Sequence, residues 1–314
     1  MKLPVNAQLG APVYTEAPAE QVQRLIERLA FQANHAAKSR GPEAVHDLRV
    51  AIRRLDQALR VFGDDLPRKI VKKIRKQLKA VLGAAGTLRN WDIAAKILAK
   101  SRQSSAAALL ATVHGSRKEA ERTLLALLRS LSLRTRVSKW RDDLELDALR
   151  AETSPQALPD LAAATLPRLA ERFFELGQAA ARQGSGEELH DFRIFAKKFR
   201  YTLELFVPVY GAAAEAWLRE IKSVQSVLGD MNDYRTVLAM AQDANRGQKL
   251  QAALKRGERR KAARFRSMWH ERFPRSLEEH WTAAFAAPPS FRSARKPMGS
   301  TTSSSAHKSL TAKA

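Results

Sequence analysis

Apolar residues return at every third or fourth position through most of this chain, the spacing of helices with one packed face and one wet face. Within residues 45–62, Leu48, Ile52, Leu55, Leu59 and Phe62 fall on one broad stripe. His46, Arg49, Arg53 and Arg60 cluster on the opposite side. Residues 189–206 repeat the division, with Phe192, Phe195, Phe199, Leu203 and Phe206 apolar and His190, Arg193, Lys197 and Arg200 forming or flanking a basic side. Burying one such Leu or Phe stabilises by about 1.5–3 kcal/mol, enough to fix the helix and present its other face.

The same pattern predicts helices near 19–38, 43–61, 66–82, 90–112, 116–130, 158–182, 187–206, 212–228, 234–254 and 256–272. Gly41-Pro42, Gly63 with Pro67, and Gly184 to Gly186 punctuate the divisions. No comparable set of alternating β-branched strands is present. The chain reads as all-α, with a weak region near 131–160.

Two of these segments are copies. VHDLRVAIRRLDQALRVF (45–62) and LHDFRIFAKKFRYTLELF (189–206) align without a gap at an offset of 144. His46/His190, Asp47/Asp191, Arg49/Arg193, Leu59/Leu203 and Phe62/Phe206 are identical pairs, and basic character recurs at Arg53/Lys197 and Arg54/Lys198. Each copy is followed by a basic amphipathic stretch ending in a Gly and a polar cluster, GTLRNWD at 86–92 and GDMNDYR at 229–235. Two related helical halves follow from this, each incomplete without the other.

Composition sharpens the picture. The chain has 314 residues, 55 Lys and Arg against 32 Asp and Glu, and a formal net charge of +23. Such an excess draws in anions and opposes compaction through self-repulsion, so it points to an anionic partner. Acids are sparse on the basic stripes, and like charges lie three and four residues apart there. On the predicted third helix Lys69, Lys72, Lys76 and Lys79 make one continuous stripe beside Lys73. Ile70, Ile74, Leu78 and Leu82 are available there for packing. Its counterpart carries only Arg219 and Lys222, and Arg259 belongs to a further basic run near the end.

No cysteine is present, which excludes thiolate nucleophiles, disulfides and cysteine metal sites. The His-Asp pairs lack a local third ligand and are not read as a metal site. No stretch approaches the roughly 18 apolar residues of a membrane span. The N-terminal residues lack the continuous apolar segment of a secretory signal. A cytoplasmic protein with no cofactor is expected. Residues 1–18 read as a flexible leader, and residues 286–314 as a disordered basic tail.

The doubled H-x-x-R-x-x-x-[RK]-[RK] pattern, with its aromatic-terminated apolar period, resembles the CHAD family, the conserved-histidine α-helical domain. The resemblance spans most of residues 19–275. It implies two similar antiparallel helical bundles about a pseudo-twofold axis, with halves at about 19–145 and 158–285 of a domain spanning 19–285. It also implies binding of inorganic polyphosphate in a basic central channel. The matching positions are His46, Arg49, Arg53 and Arg54 in one motif, and His190, Arg193, Lys197 and Lys198 in the other. Arg60, Arg200 and the basic positions of the third, eighth and last helices extend that surface by charge and spacing.

The family's Arg-Asp-x-Asp sequence is replaced by Arg89-Asn90-Trp91-Asp92 and Asn232-Asp233-Tyr234-Arg235. Helix capping and cross-bundle hydrogen bonding are the uses expected of Asn90, Asp92, Asn232 and Asp233. Some members stand beside a triphosphate-tunnel catalytic domain, but here the helical region begins almost at once and no P-loop or acidic metal cage is recognisable. The expectation is binding without catalysis, with recruitment to polyphosphate granules as its use. Nonspecific DNA or RNA binding and an adaptor role for granule-associated proteins are the alternatives.

Overall fold

The computed structural model describes residues 17–288, except 40, 102, 153, 155, 184, 185, 245 and 246. The expected leader falls almost wholly outside the described residues, and so does nearly all of the expected basic tail. Among the described residues twelve α-helices follow one another and there is no strand. The first six are α1 (Pro18–Ser39), α2 (Pro42–Val61), α3 (Arg68–Leu98), α4 (Ser104–Leu131), α5 (Leu133–Asp143) and α6 (Leu146–Glu152). The rest are α7 (Ala157–Gln183), α8 (Gly186–Leu205), α9 (Val207–Tyr210), α10 (Ala212–Asp243), α11 (Gln248–Arg272) and α12 (Arg275–Ala286).

The start of α2 shows how local chemistry sets the elements. Gly41 is extended, Pro42 occupies the first turn where a missing N–H costs nothing, and Glu43 faces the positive helix end. The apolar stripe then drives Leu48, Ile52, Leu55, Leu59 and Phe62 into the core. In α8 the stripe buries Phe192, Phe199, Leu203 and Phe206 and leaves Phe195 half-buried.

Packing follows chain order. α1 lies on α2, α2 on α3 and α3 on α4; α7 lies on α8, α8 on α10 and α10 on α11. Two further seams, α2 with α8 and α3 with α10, join these sets. α5 and α6 cover α1, while α12 returns onto α7. The main core runs through both sets. A second, smaller core gathers Ala94 and Leu98 of α3, Leu109 and Val113 of α4, Val237 and Ala241 of α10, and Leu250 and Leu254 of α11.

Several expected boundaries are corrected. The predicted breaks near 82–90 and 228–234 do not exist, because α3 and α10 run unbroken through Gly83, Gly86 and Gly229. A helical Gly costs about 1 kcal/mol, and neighbouring burial of Val81, Ala85, Leu88, Leu228 and Met231 outweighs it. Asn90, Asp92, Asn232 and Asp233 are therefore helix-interior residues, not caps. The weak region near 131–160 contains α5, α6 and the start of α7, and α12 is an additional helix whose Trp281 and Phe285 are fully buried.

Candidate functional site

The four helices carrying the duplicated segments meet in pairs. α2 and α8 are joined by Arg54 Nε donating to Glu204 Oε2 at 2.6 Å and by Gln57 Nε2 donating to Thr202 Oγ1 at 2.9 Å. These contacts lie in the C-terminal halves of both helices. The C-terminal parts of α3 and α10 pack together in the second core. On the N-terminal side of these contacts α2 and α8 carry His46, Arg49, Arg53, His190, Arg193 and Lys197, within the fields of Arg89 of α3 and of Asp233 and Arg235 of α10.

The side chains there are bound together by their fields. Arg49 feels Arg53 of its own helix, Arg89 of α3 and Arg193 of α8. Lys197 feels Arg193, Arg53 and Arg49. Burial pushes Arg49 down to about 10, and the neighbouring guanidinium groups push it the same way. Burial also pushes Lys197 down to about 7, again with arginine charges adding to the effect. Arg193 is lowered by burial and by Arg53, and its Nε is buried without a hydrogen-bond partner. Unpaired buried donors amid like charges are expensive. They constitute a centre short of anions.

His46 and His190 stand at the edge of this centre. Both are lowered from the usual imidazole value, first by burial. Arg89 lowers His46 further, and Arg193 and Arg235 lower His190. His190 also lines a surface pocket with Asn232, Arg235 and Thr236. Arg235 is anchored by donating to the carbonyl oxygen of Gly186 at 2.7 Å.

Other expected residues are placed differently. Arg54 lies in the α2–α8 seam, and Arg200 stands 3.4 Å from the same Glu204. Arg60 is bound to Asp56, which also accepts from Arg75 at 2.9 Å. Lys69, Lys72, Lys73, Lys76 and Lys79 are all exposed on α3. Lys198, Arg219, Lys222 and Arg259 are exposed on α8, α10 and α11. The fields that shift the central groups come from none of these exposed residues.

Three members of the centre were missing from the expected site: Arg89, Arg235 and Asp233. Their signal was the polar cluster that ends each repeat, GTLRNWD and GDMNDYR. Its Asp92 does bond across the bundle, accepting from Arg117 Nε of α4 at 2.8 Å.

Fold and centre together define an all-helical protein whose duplicated helices surround unpaired cations. The chain belongs to the CHAD family, whose domain matches residues 20–242. Among solved structures it is similar to the CHAD domain from the plant Ricinus communis, at 19% identity and a TM-score of 0.63, covering 91% of this chain and 99% of that one. It is also similar to PptA from Streptomyces chartreusis, at 18% identity and a TM-score of 0.59, covering 82% of this chain and 99% of that one. Comparison with curated proteins finds no match.

Proposed function

We propose that this protein binds inorganic polyphosphate, without hydrolysing or synthesising it, at the cationic centre between α2, α3, α8 and α10. The observation that carries this reading is the set Arg49, Arg53, Arg89, Arg193 and Lys197, drawn from three helices, whose like charges and burial lower Arg49, Arg193 and Lys197. A polymer of regularly spaced charge needs several moderate contacts. Arginine supplies forked donors to phosphate oxygens, and lysine supplies point charge. Membership of the CHAD family supports the same ligand.

In this reading the two sets of helices form two halves, at about 19–145 and 158–285, about a pseudo-twofold axis through the centre. The parallel packing orders of α1 to α4 and of α7, α8, α10 and α11 support it. The exposed lysines of α3 extend the track outward. Binding at this centre recruits the protein to polyphosphate granules in the cytoplasm.

Binding to long-chain polyphosphate measured across a salt series tests the reading. Five engaged cations give a log–log salt slope of about −3.5, by analogy with single-stranded nucleic acid. Replacing Arg53 and Arg193 together with Gln lowers that slope by about 1.4. An unchanged slope in the double variant, with helical content intact, would place the ligand elsewhere.

A further inference from the structure

Four acids around the centre are tied to a cation, while Asp47 and Asp191 are exposed beside the two histidines. Glu204 accepts from Arg54 at 2.6 Å, Asp230 from Lys261 at 2.6 Å, Asp92 from Arg117 at 2.8 Å and Asp56 from Arg75 at 2.9 Å. Asp233 of α10 is different. It is half-buried and, among the described residues, makes no hydrogen bond and no ion pair. Yet it lies within the fields of Arg89 on α3 and of Arg193 and Lys197 on α8.

We propose that Asp233 sets the affinity of the anion site, occupying beside Arg89, Arg193 and Lys197 the place of a ligand phosphate and taking up a proton when that phosphate arrives. This rests on the polyphosphate reading above. A carboxylate and a phosphate group cannot both be charged against the same few cations, because like charges disfavour ionisation. A carboxylate locked in an ion pair would resist protonation. Asp233 lacks that lock, and burial already pushes it up to about 6 against the pull of three cations. In the aligned cluster of the first half its counterpart is the neutral, exposed Asn90, so only one half carries the competing charge.

The groups that face this position are known from each side. α2 supplies Arg49, Arg53, His46, Glu43 and Asp47; α3 supplies Arg89; α8 supplies His190, Asp191, Arg193, Lys197 and Tyr201. From α10 itself come Asp230 and Arg235, and from α11 Lys261, which is held by Asp230. His46, His190 and Lys197 also titrate more readily toward the cation when an anion is bound. Asp233 itself raises Lys197, so the comparison is repeated in a Lys197→Gln background, where the ratio of the two affinities isolates Asp233.

The test compares the full chain, Asp233→Asn and Arg193→Gln for binding long-chain polyphosphate from pH 5 to pH 8. Asn preserves the side-chain shape and sacrifices no hydrogen bond. If the bound state requires a neutral Asp233, the free protein at pH 7 is competent only in its protonated fraction, so Asp233→Asn binds roughly tenfold tighter there. The advantage should close toward unity by pH 5. Calorimetry in two buffers of different ionisation heat should show close to one proton fewer taken up by the variant at pH 7. Equal or weaker binding by Asp233→Asn at pH 7, while Arg193→Gln is weakened, overturns the role of Asp233 and leaves the site intact. Undiminished binding by Arg193→Gln, or no binding by the native chain, overturns the polyphosphate site itself and this inference with it.

Discussion

Arg49 reaches from α2 across the bare backbone of Gly86 on α3. Its Nη1 donates to the carbonyl oxygen of Leu82 at 3.0 Å and would lie 2.7 Å from a Cβ at position 86. Gly86→Ala must therefore push the guanidinium aside, although the Ala itself favours the helix by about 1 kcal/mol. Gly83, three residues away on the same helix, has open space where its Cβ would stand. Gly83→Ala is expected to raise stability by about 0.5–1 kcal/mol with unchanged polyphosphate affinity. Gly86→Ala is expected to weaken binding several-fold with little loss of stability. Urea unfolding and binding titration on both variants check the pair; equal affinities would remove Arg49 from the site.

Gly177 answers a packing need instead. A Cβ there would overlap the indole of Trp269, which stacks on Phe273 at 4.6 Å and donates from Nε1 to Gln178 at 3.2 Å. The contacting atoms belong to a fully buried ring packed against Phe173, Phe192 and Phe273. Gly177→Ala should destabilise by about 1–3 kcal/mol through overpacking. The loss should appear as a lower urea midpoint with an unchanged slope. A midpoint equal to the native one would mean that the indole is free to shift.

Lys197 makes the stability of the protein depend on pH. Its folded value, about 7, lies below the ordinary 10.5. Between these values the unfolded chain holds more protons, so this residue's contribution improves as pH rises through that window. The penalty is complete below about pH 7 and gone above about 10.5. Lys197→Met is therefore expected to exceed the native protein in stability at pH 6 by more than about 1 kcal/mol. The gap should narrow steadily above pH 7, to about 1 kcal/mol by pH 10. A variant less stable at pH 6, or a gap independent of pH, would mean that Lys197 is not held against its charge.

Much of this arrangement was legible in the residue order, for identifiable reasons. The apolar stripe of 45–62 named every core residue it predicted because amphipathic period and burial are the same fact seen twice. The duplicated His, Arg and Lys positions named most of the centre. Helix ends were less legible: Gly83, Gly86 and Gly229 look like breaks, but tertiary burial on either side carries α3 and α10 through them. Charge period could not separate Arg53, free in the centre, from Arg54, bound to Glu204 some 150 positions away. Nor could it show that Asp92 is bonded to α4 while Asp233 is not bonded at all, since partners from distant helices decide both.

Competition at constant salt between long polyphosphate, short phosphate chains and single- and double-stranded nucleic acid tests the central claim most directly. Long polyphosphate should displace every other ligand from the native chain, and that preference should vanish when Arg49, Arg53, Arg193 and Lys197 are replaced by Gln with helical content retained. Equal or tighter binding of nucleic acid by the native chain would contradict it.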